Sequence, residues 1–133
     1  MSRSIPAPIL NETSRAFWEA AREERLLVGH CTACDAAHYH PRSLCPHCHS
    51  AEVSLREATG EGEIYTFSVM RRTQTPFAIA YVTLDEGVSM MTNLVDCDLD
   101  ALAVGQRVRV AFVETREDPD GEVWKAPCFT PVD

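Results

Sequence analysis

Four of the six cysteines lie in two closely spaced pairs, Cys31/Cys34 and Cys45/Cys48, with ten residues between the pairs. The two-residue gap within each pair lets a tight turn bring both sulfurs to one metal ion. Two such turns supply the four thiolates of a tetrahedral site, and four protein ligands leave no coordination position open for water. The spacing therefore predicts a closed, structural zinc site. A tetrahedral iron site would use the same ligands, and the sequence leaves that alternative open.

The residue after the second cysteine of each pair supports this geometry. That position often needs a left-handed backbone, and here it holds Asp35 and His49, two of the residue types that tolerate positive φ best after glycine. Because four cysteines already complete the site, we expect the nearby histidines either to lie at the surface or to contact the metal ligands, without binding the metal themselves. These histidines are His30, His38, His40, His47 and His49.

The two remaining cysteines are the candidate nucleophiles, and neither is in a favourable setting. A reactive thiol needs a nearby base or positive charge that stabilises the thiolate. Cys97 lies between Asp96 and Asp98, whose charges raise its pKa, and Cys128 lies in a predicted strand as a small apolar residue. We therefore predict no catalytic residue and do not expect this chain to be an enzyme on its own.

The composition narrows the class of protein. The chain has 133 residues, 45% of them hydrophobic, and a formal net charge of −8 from 12 basic and 20 acidic residues. Such a chain forms one globular domain or two very small ones, and its acidity opposes binding to nucleic acid. No apolar run approaches the roughly 18 residues of a membrane span. The N-terminal segment contains prolines and no signal-peptide core, so we predict a cytoplasmic protein with reduced thiols.

A helix is predicted over residues 11–25, before the cysteine pairs. Asn11 and Thr13 are candidate N-caps. Phe17 and Trp18 are neighbours in the sequence and point about 100° apart on a helix, so both rings cannot easily bury against one surface. Either the helix lies in a groove of its own chain, or one ring contacts a partner protein, for which tryptophan is well suited. Phe17 and Trp18 are thus two candidate partner-binding residues.

The chain from residue 60 onward has the alternating pattern of a β-rich domain. Five strands are predicted, at Glu63–Met70, Phe77–Leu84, Ser89–Val95, Arg107–Thr115 and Glu122–Phe129. Five antiparallel strands of this length fit a small closed barrel of the OB type. We therefore predict a mainly β fold, with an N-terminal helix and zinc ribbon over residues 1–58 and a five-stranded OB-fold barrel over residues 59–133.

The predicted strand Phe77–Leu84 is apolar on both of its faces. One face carries Phe77, Ile79 and Tyr81, and the other carries small and aliphatic residues. Such a strand needs cover on both sides. The barrel interior provides one cover, and the N-terminal half or another protein must provide the other. Phe77 is therefore a third candidate partner-binding residue.

The order of these motifs resembles that of the acyl-CoA-associated zinc-ribbon/OB-fold proteins. The resemblance runs from about residue 14 to residue 132 and includes the segments FWEAAREERLL, CTAC, HPR, CPHC, GEG, PFAIAYVTLDEGVSMMTNLV, VGQRVRV and PCFTPV. In that family a rubredoxin-like zinc ribbon precedes an OB barrel, and its metal ligands match Cys31, Cys34, Cys45 and Cys48. Rubredoxin-type ribbons have a glycine after each knuckle, which this chain lacks, and the difference argues against electron transfer.

The resemblance implies a non-catalytic accessory subunit. Members of the family accompany thiolase-like, lipid-transfer-type or acyltransferase enzymes, so we expect such a partner, a structural Zn²⁺ and a CoA thioester at the interface. Arg71 and Arg72, in the loop between the first two barrel strands, would then contact CoA phosphates, unless they only solubilise the loop. The alternative function is a nucleic-acid-binding OB module with a structural zinc, in which Tyr65, Phe67 and Phe77 would stack on bases.

Overall fold

A computed structural model describes residues 4–132, and the predicted domain ends at residues 1 and 133 lie outside this range. It contains one helix, α1 (Arg15–Arg22), and eight strands. The strands are β1 (Leu27–Cys31), β2 (Ala37–His38), β3 (Val53–Glu57), β4 (Glu61–Met70), β5 (Phe77–Leu84), β6 (Ser89–Leu94), β7 (Arg107–Glu117) and β8 (Val123–Pro131). The predicted mainly β fold class is confirmed. No helix within the described range is long and apolar enough to cross a membrane.

The strands form two sheets. A three-stranded antiparallel sheet has the order β2-β1-β3, and a closed barrel has the order β4-β5-β6-β8-β7. Neighbouring barrel strands are antiparallel except β6 and β8, which run parallel where Leu94 faces Phe129. This five-stranded closed barrel confirms the predicted OB-fold. The bounds predicted for β5 are also those observed, and the other predicted strands overlap β4, β6, β7 and β8 with end differences of a few residues.

The strand β5 buries only one of its two apolar faces. The residues that point into the barrel are Ala78, Ala80, Val82 and Leu84. On the opposite face Phe77 and Ile79 are half-buried and Tyr81 is exposed. Within the described chain, the N-terminal half therefore leaves part of this outer face uncovered.

The helix, the ribbon and the barrel share one hydrophobic core. Phe17 of α1 and Val28 of β1 belong to the same buried cluster as Phe129 of β8. The Phe17 side chain is fully buried, and its ring meets the rings of Trp18 and Tyr39 edge to face, at centroid distances of 5.2 and 5.7 Å. The helix thus lies in a groove of its own chain, which was the first of the two alternatives for this segment.

The helix is shorter than the predicted span of residues 11–25. A turn precedes it, because the Asn11 side-chain oxygen accepts a hydrogen bond of 2.8 Å from the Ser14 N–H, and Ser14 is the N-cap residue. At the other end Glu24 has a φ of 64°, which turns the chain towards β1. The predicted N-cap residue Asn11 thus makes the side-chain contact of a cap at the turn that leads into the helix, and its carbonyl accepts a hydrogen bond of 3.0 Å from the Arg15 N–H.

A cluster of polar contacts joins α1 to the hairpin of β7 and β8. The Arg22 guanidinium lies 3.5 Å from the centre of the Trp124 ring, and its Nη2 atom is 3.3 Å from Glu122 Oε2. Lys125 Nζ on β8 is 2.7 Å from Glu24 Oε2. A cation above an indole face is an attractive contact, so these pairs fix the helix against the barrel.

Candidate functional site

Two tight turns position the four cysteines. In the first, the Cys31 N–H at the end of β1 donates to the Ala36 carbonyl at 2.9 Å. In the second, the Cys45 N–H donates to the Ser50 carbonyl at 2.8 Å. Asp35 has a φ of 57° and His49 a φ of 66°, so the left-handed backbone expected at both positions is confirmed.

The four sulfur atoms are close enough to bind one ion. Cys31 Sγ is 3.6 Å from Cys48 Sγ, Cys34 Sγ is 3.7 Å from Cys45 Sγ, and all four lie within 4.8 Å of one another. Zinc–sulfur bonds of about 2.3 Å in tetrahedral geometry separate the sulfurs by about 3.8 Å. The donor set therefore fits a tetrahedral four-thiolate metal site, as the spacing predicted.

Burial and local hydrogen bonds together shift the pKa values of two of these thiols in opposite directions. Burial acts against ionisation of Cys45, but the N–H groups of Cys48 and His47, with neighbouring thiols, outweigh it and lower the pKa of Cys45 to about 6. Burial raises the pKa of Cys34 to about 12, against a hydrogen bond from the Ala36 backbone. Zinc binds thiolates, so an incoming ion would displace the protons that the thiols hold.

The neighbouring histidines make contacts of their own. Within residues 4–132, the group of potential metal ligands contains the four cysteines and no histidine. His30 Nε2 is 2.9 Å from Asp35 Oδ1, and His38 Nδ1 is 3.0 Å from the His40 carbonyl oxygen. The buried His38 ring covers Gly29 on the paired strand, so the first knuckle is held in part by this close packing.

The two predicted phosphate-binding arginines differ in their surroundings. Both are exposed in the loop between β4 and β5. Arg71 Nη2 is 2.9 Å from Asp100 Oδ1, whereas Arg72 forms no ion pair with any other described residue. Of these two arginines, Arg72 is therefore the one whose guanidinium could bind an anion without first giving up an ion pair.

The three predicted partner-binding residues are also placed differently. Phe17 is enclosed by its own chain, as described above, so its ring is not available at the surface. Trp18 and Phe77 are half-buried, Trp18 against the core at α1 and Phe77 at the start of β5. These two side chains retain a surface that another molecule could contact.

An exposed apolar patch that the sequence analysis did not single out lies on the outer face of the barrel. Tyr65, Tyr81 and Met91 are 68%, 47% and 55% exposed, and we call them the tyrosine–methionine patch. Tyr81 on β5 is paired with Met91 on β6. The register of β4 shifts between Ile64 and Thr66, and Tyr65 lies at this irregularity. Alternation along β5 indicated the outward position of Tyr81, but the cross-strand register that adds Met91 is visible only in the fold.

Family models match both parts of the chain. Residues 18–54 match the ChsH2 rubredoxin-like zinc ribbon domain, and residues 55–113 match the ChsH2 C-terminal OB-fold domain. A probable enoyl-CoA hydratase alpha subunit of Thermomonospora curvata is 32% identical over an alignment 132 residues long, which covers 96% of this chain and 40% of that protein. A DUF35 domain-containing scaffold protein of Methanocaldococcus jannaschii is 29% identical over 87% of this chain and 89% of its own length.

Two solved structures are similar to this fold. One, described as an Ltp2-ChsH2(DUF35) aldolase, has a TM-score of 0.78 and 32% identity, and the match covers 94% of this chain and 98% of that one. The other, a DUF35 protein of unknown function from Sulfolobus solfataricus, has a TM-score of 0.64 over 92% of this chain and 87% of that one. Its identity of 11% limits the likeness to the fold. The chain therefore belongs to the ChsH2-type family of DUF35 proteins, in which a rubredoxin-like zinc ribbon is joined to an OB-fold domain.

Proposed function

We propose that this chain is a non-catalytic scaffold subunit that binds a thiolase-like, lipid-transfer-type or acyltransferase enzyme and supports its turnover of acyl-CoA. The tyrosine–methionine patch is the observation that carries the proposal. Tyrosine and methionine are enriched at protein interfaces, and contiguous exposed apolar patches commonly mark them. A similar solved chain is described as part of an Ltp2-ChsH2 aldolase, and a similar full-length protein is described as a scaffold.

The metal has a structural role in this proposal. Four thiolates would hold Zn²⁺ without an open coordination position, so the ion would cross-link the two knuckles and supply no chemistry to a substrate. Reduced thiols suit the cytoplasm, which is the location we propose. We keep the predicted boundary between residues 58 and 59 for the ribbon and the barrel. The two units share a core, so the ribbon would present a rigid surface beside the barrel.

Contact with a CoA thioester is the finer part of the proposal. Arg72 is exposed and unpaired within residues 4–132, so its guanidinium could bind a CoA phosphate directly. Arg71 would first have to exchange Asp100 for the phosphate. We therefore expect Arg72→Ala to weaken CoA binding by the assembled complex more than Arg71→Ala does.

Co-purification tests the scaffold function. We would co-express the chain with a thiolase-like enzyme from the same genome and measure the complex by size-exclusion chromatography with light scattering. Tyr81→Ser combined with Met91→Ser should weaken the complex at least about tenfold, because the patch loses its apolar contacts.

The matched control removes two exposed apolar side chains elsewhere, with Ile9→Ser and Val104→Ser, and should leave the complex intact. A wild-type chain that elutes as a monomer with every such enzyme, with and without CoA thioesters, would rule out the proposed function.

A further inference from the structure

An open cavity of about 660 Å³ lies beside the first residues of β5. Its volume lies within the range of about 300 to 1,000 Å³ that is typical of small-molecule pockets, so it is large enough to enclose a bulky side chain. The apolar walls come from three barrel strands and their ends, and they include Pro76, Phe77, Leu94, Val95, Phe112 and Val113.

The charge at this cavity is negative. Among the described residues that line it, Asp96 is the one that carries a charge. Asp98 and Asp100 follow Asp96 in the same segment. Of these three carboxylates, only that of Asp100 forms an ion pair with Arg71. Burial raises the pKa of the Cys97 thiol in the cavity wall, and the charges of Asp96 and Asp98 raise it further. The mouth would therefore attract a cation and repel an anion.

The chain already places an aliphatic side chain from an irregular segment in this cavity. Ile5, which precedes α1, lines the cavity, and its carbonyl accepts a hydrogen bond of 2.8 Å from the Arg116 N–H on β7. The segment before α1 is thus joined to β7 by one main-chain hydrogen bond, while the Ile5 side chain lines the apolar wall. Peptides are commonly recognised in this way, with main-chain hydrogen bonds for affinity and pockets for specificity.

We propose that this cavity receives a peptide segment of the enzyme partner in which a bulky apolar side chain stands next to a lysine or arginine. The apolar side chain fills the volume between Phe77 and Val113, and the cation lies near Asp96. This inference rests on the proposed function, because the peptide belongs to the enzyme that the scaffold binds. An acyl-CoA is the poorer occupant, since its phosphates would approach the carboxylates of Asp96 and Asp98.

The test uses the full chain, isotope-labelled for NMR, and two synthetic peptides of equal length, acetyl-Lys-Leu-Phe-Lys-amide and acetyl-Glu-Leu-Phe-Glu-amide. We expect the basic peptide to shift the amide signals of Leu99 and Val113, which line the cavity. Its dissociation constant should be at least about tenfold lower than that of the acidic peptide, and the difference should shrink in high salt.

A pair of matched variants checks the charge. Asp96→Asn with Asp98→Asn should remove the preference for the basic peptide, and asparagine suits the φ of 48° at residue 96. Glu12→Gln with Glu19→Gln changes the net charge equally at two exposed positions outside the cavity lining and should keep the preference.

Equal binding of the two peptides, or no shift with either, would overturn the proposal. Shifts of the same amides by octanoyl-CoA but not by the basic peptide would also overturn it.

Complex formation separates this inference from the proposed function. If the wild-type chain and the Asp96/Asp98 variant bind the enzyme equally well and the basic peptide shifts no amide signals, the cavity proposal fails and the scaffold function stands. If the basic peptide binds as expected but no enzyme forms a complex with the chain, the scaffold function fails and the peptide chemistry of the cavity stands.

Discussion

The Gly29→Ala substitution should strongly destabilise the zinc ribbon, because the His38 ring covers Gly29. The two residues are direct partners in the pairing of β1 with β2. A Cβ atom on residue 29 would lie 2.5 Å from His38 Nε2 and still nearer to two other ring atoms. Non-bonded heavy atoms prefer separations of about 3.5 Å, so the ring would have to retreat by about 1 Å or more.

The surroundings of His38 set the size of the effect. The residue is 5% exposed, and its Nδ1 atom is 3.0 Å from the His40 carbonyl oxygen, so the ring cannot retreat without losing this contact. Forcing extra volume into a packed site costs about 1–3 kcal/mol, and a lost hydrogen bond adds about 0.5–1.5 kcal/mol. We therefore expect Gly29→Ala to lower the free energy of unfolding by about 2–4 kcal/mol.

Equilibrium urea unfolding of the zinc-loaded protein measures this loss, and a double-mutant cycle tests its cause. His38→Ala removes the ring that residue 29 would meet, so Gly29→Ala should cost at least about 1 kcal/mol less in that background. Equal cost in both backgrounds would refute the steric explanation. A Gly29→Ala protein within about 0.5 kcal/mol of the wild type would refute the packing itself.

Three further predictions concern the barrel, the hairpin and the metal. The Thr92 hydroxyl donates a buried hydrogen bond of 2.8 Å to the Pro127 carbonyl. Thr92→Val should therefore lower the free energy of unfolding, measured by chemical denaturation, by about 1–3 kcal/mol. Thr66→Val, at an exposed position, should change this free energy little. The Trp124 indole N–H donates to Asp118 and holds the pKa of this carboxyl below its usual value. The ionised Asp118 therefore stabilises the fold when the pH is above the usual pKa, and this contribution is lost as the pH falls through the lowered pKa. The difference in melting temperature between the wild type and Asp118→Asn should thus shrink in acid, and a constant difference between pH 3 and pH 7 would contradict this assignment. Removing the metal with a chelator, or replacing any one of the four cysteines with serine, should unfold the ribbon and abolish the tetrahedral spectrum of the cobalt-loaded protein. Metal affinity should fall as the pH is lowered, because protons compete with the metal for the thiolates.

The features that the sequence alone determined are local ones. The ligand pairs could be identified because two cysteines three positions apart reach one ion through a single turn. The left-handed backbone at Asp35 and His49 followed from the same turn, and the bounds of β5 followed from its period of two. The barrel could be predicted from the number and length of its strands, because few closed arrangements suit them.

The tertiary structure decided which surfaces are covered and which are free. Helical geometry separates Phe17 from Trp18 but cannot say which ring meets the core, and only the packing of α1 on the barrel buries Phe17. The tyrosine–methionine patch depends on the pairing of separate strands, so its formation is not encoded in any one segment. The cavity beside the start of β5 likewise brings together Ile5, Phe77 and Val113, which are far apart in the chain. Contacts of this kind are set by long-range register and shared burial, which the spacing of residues within a segment does not specify.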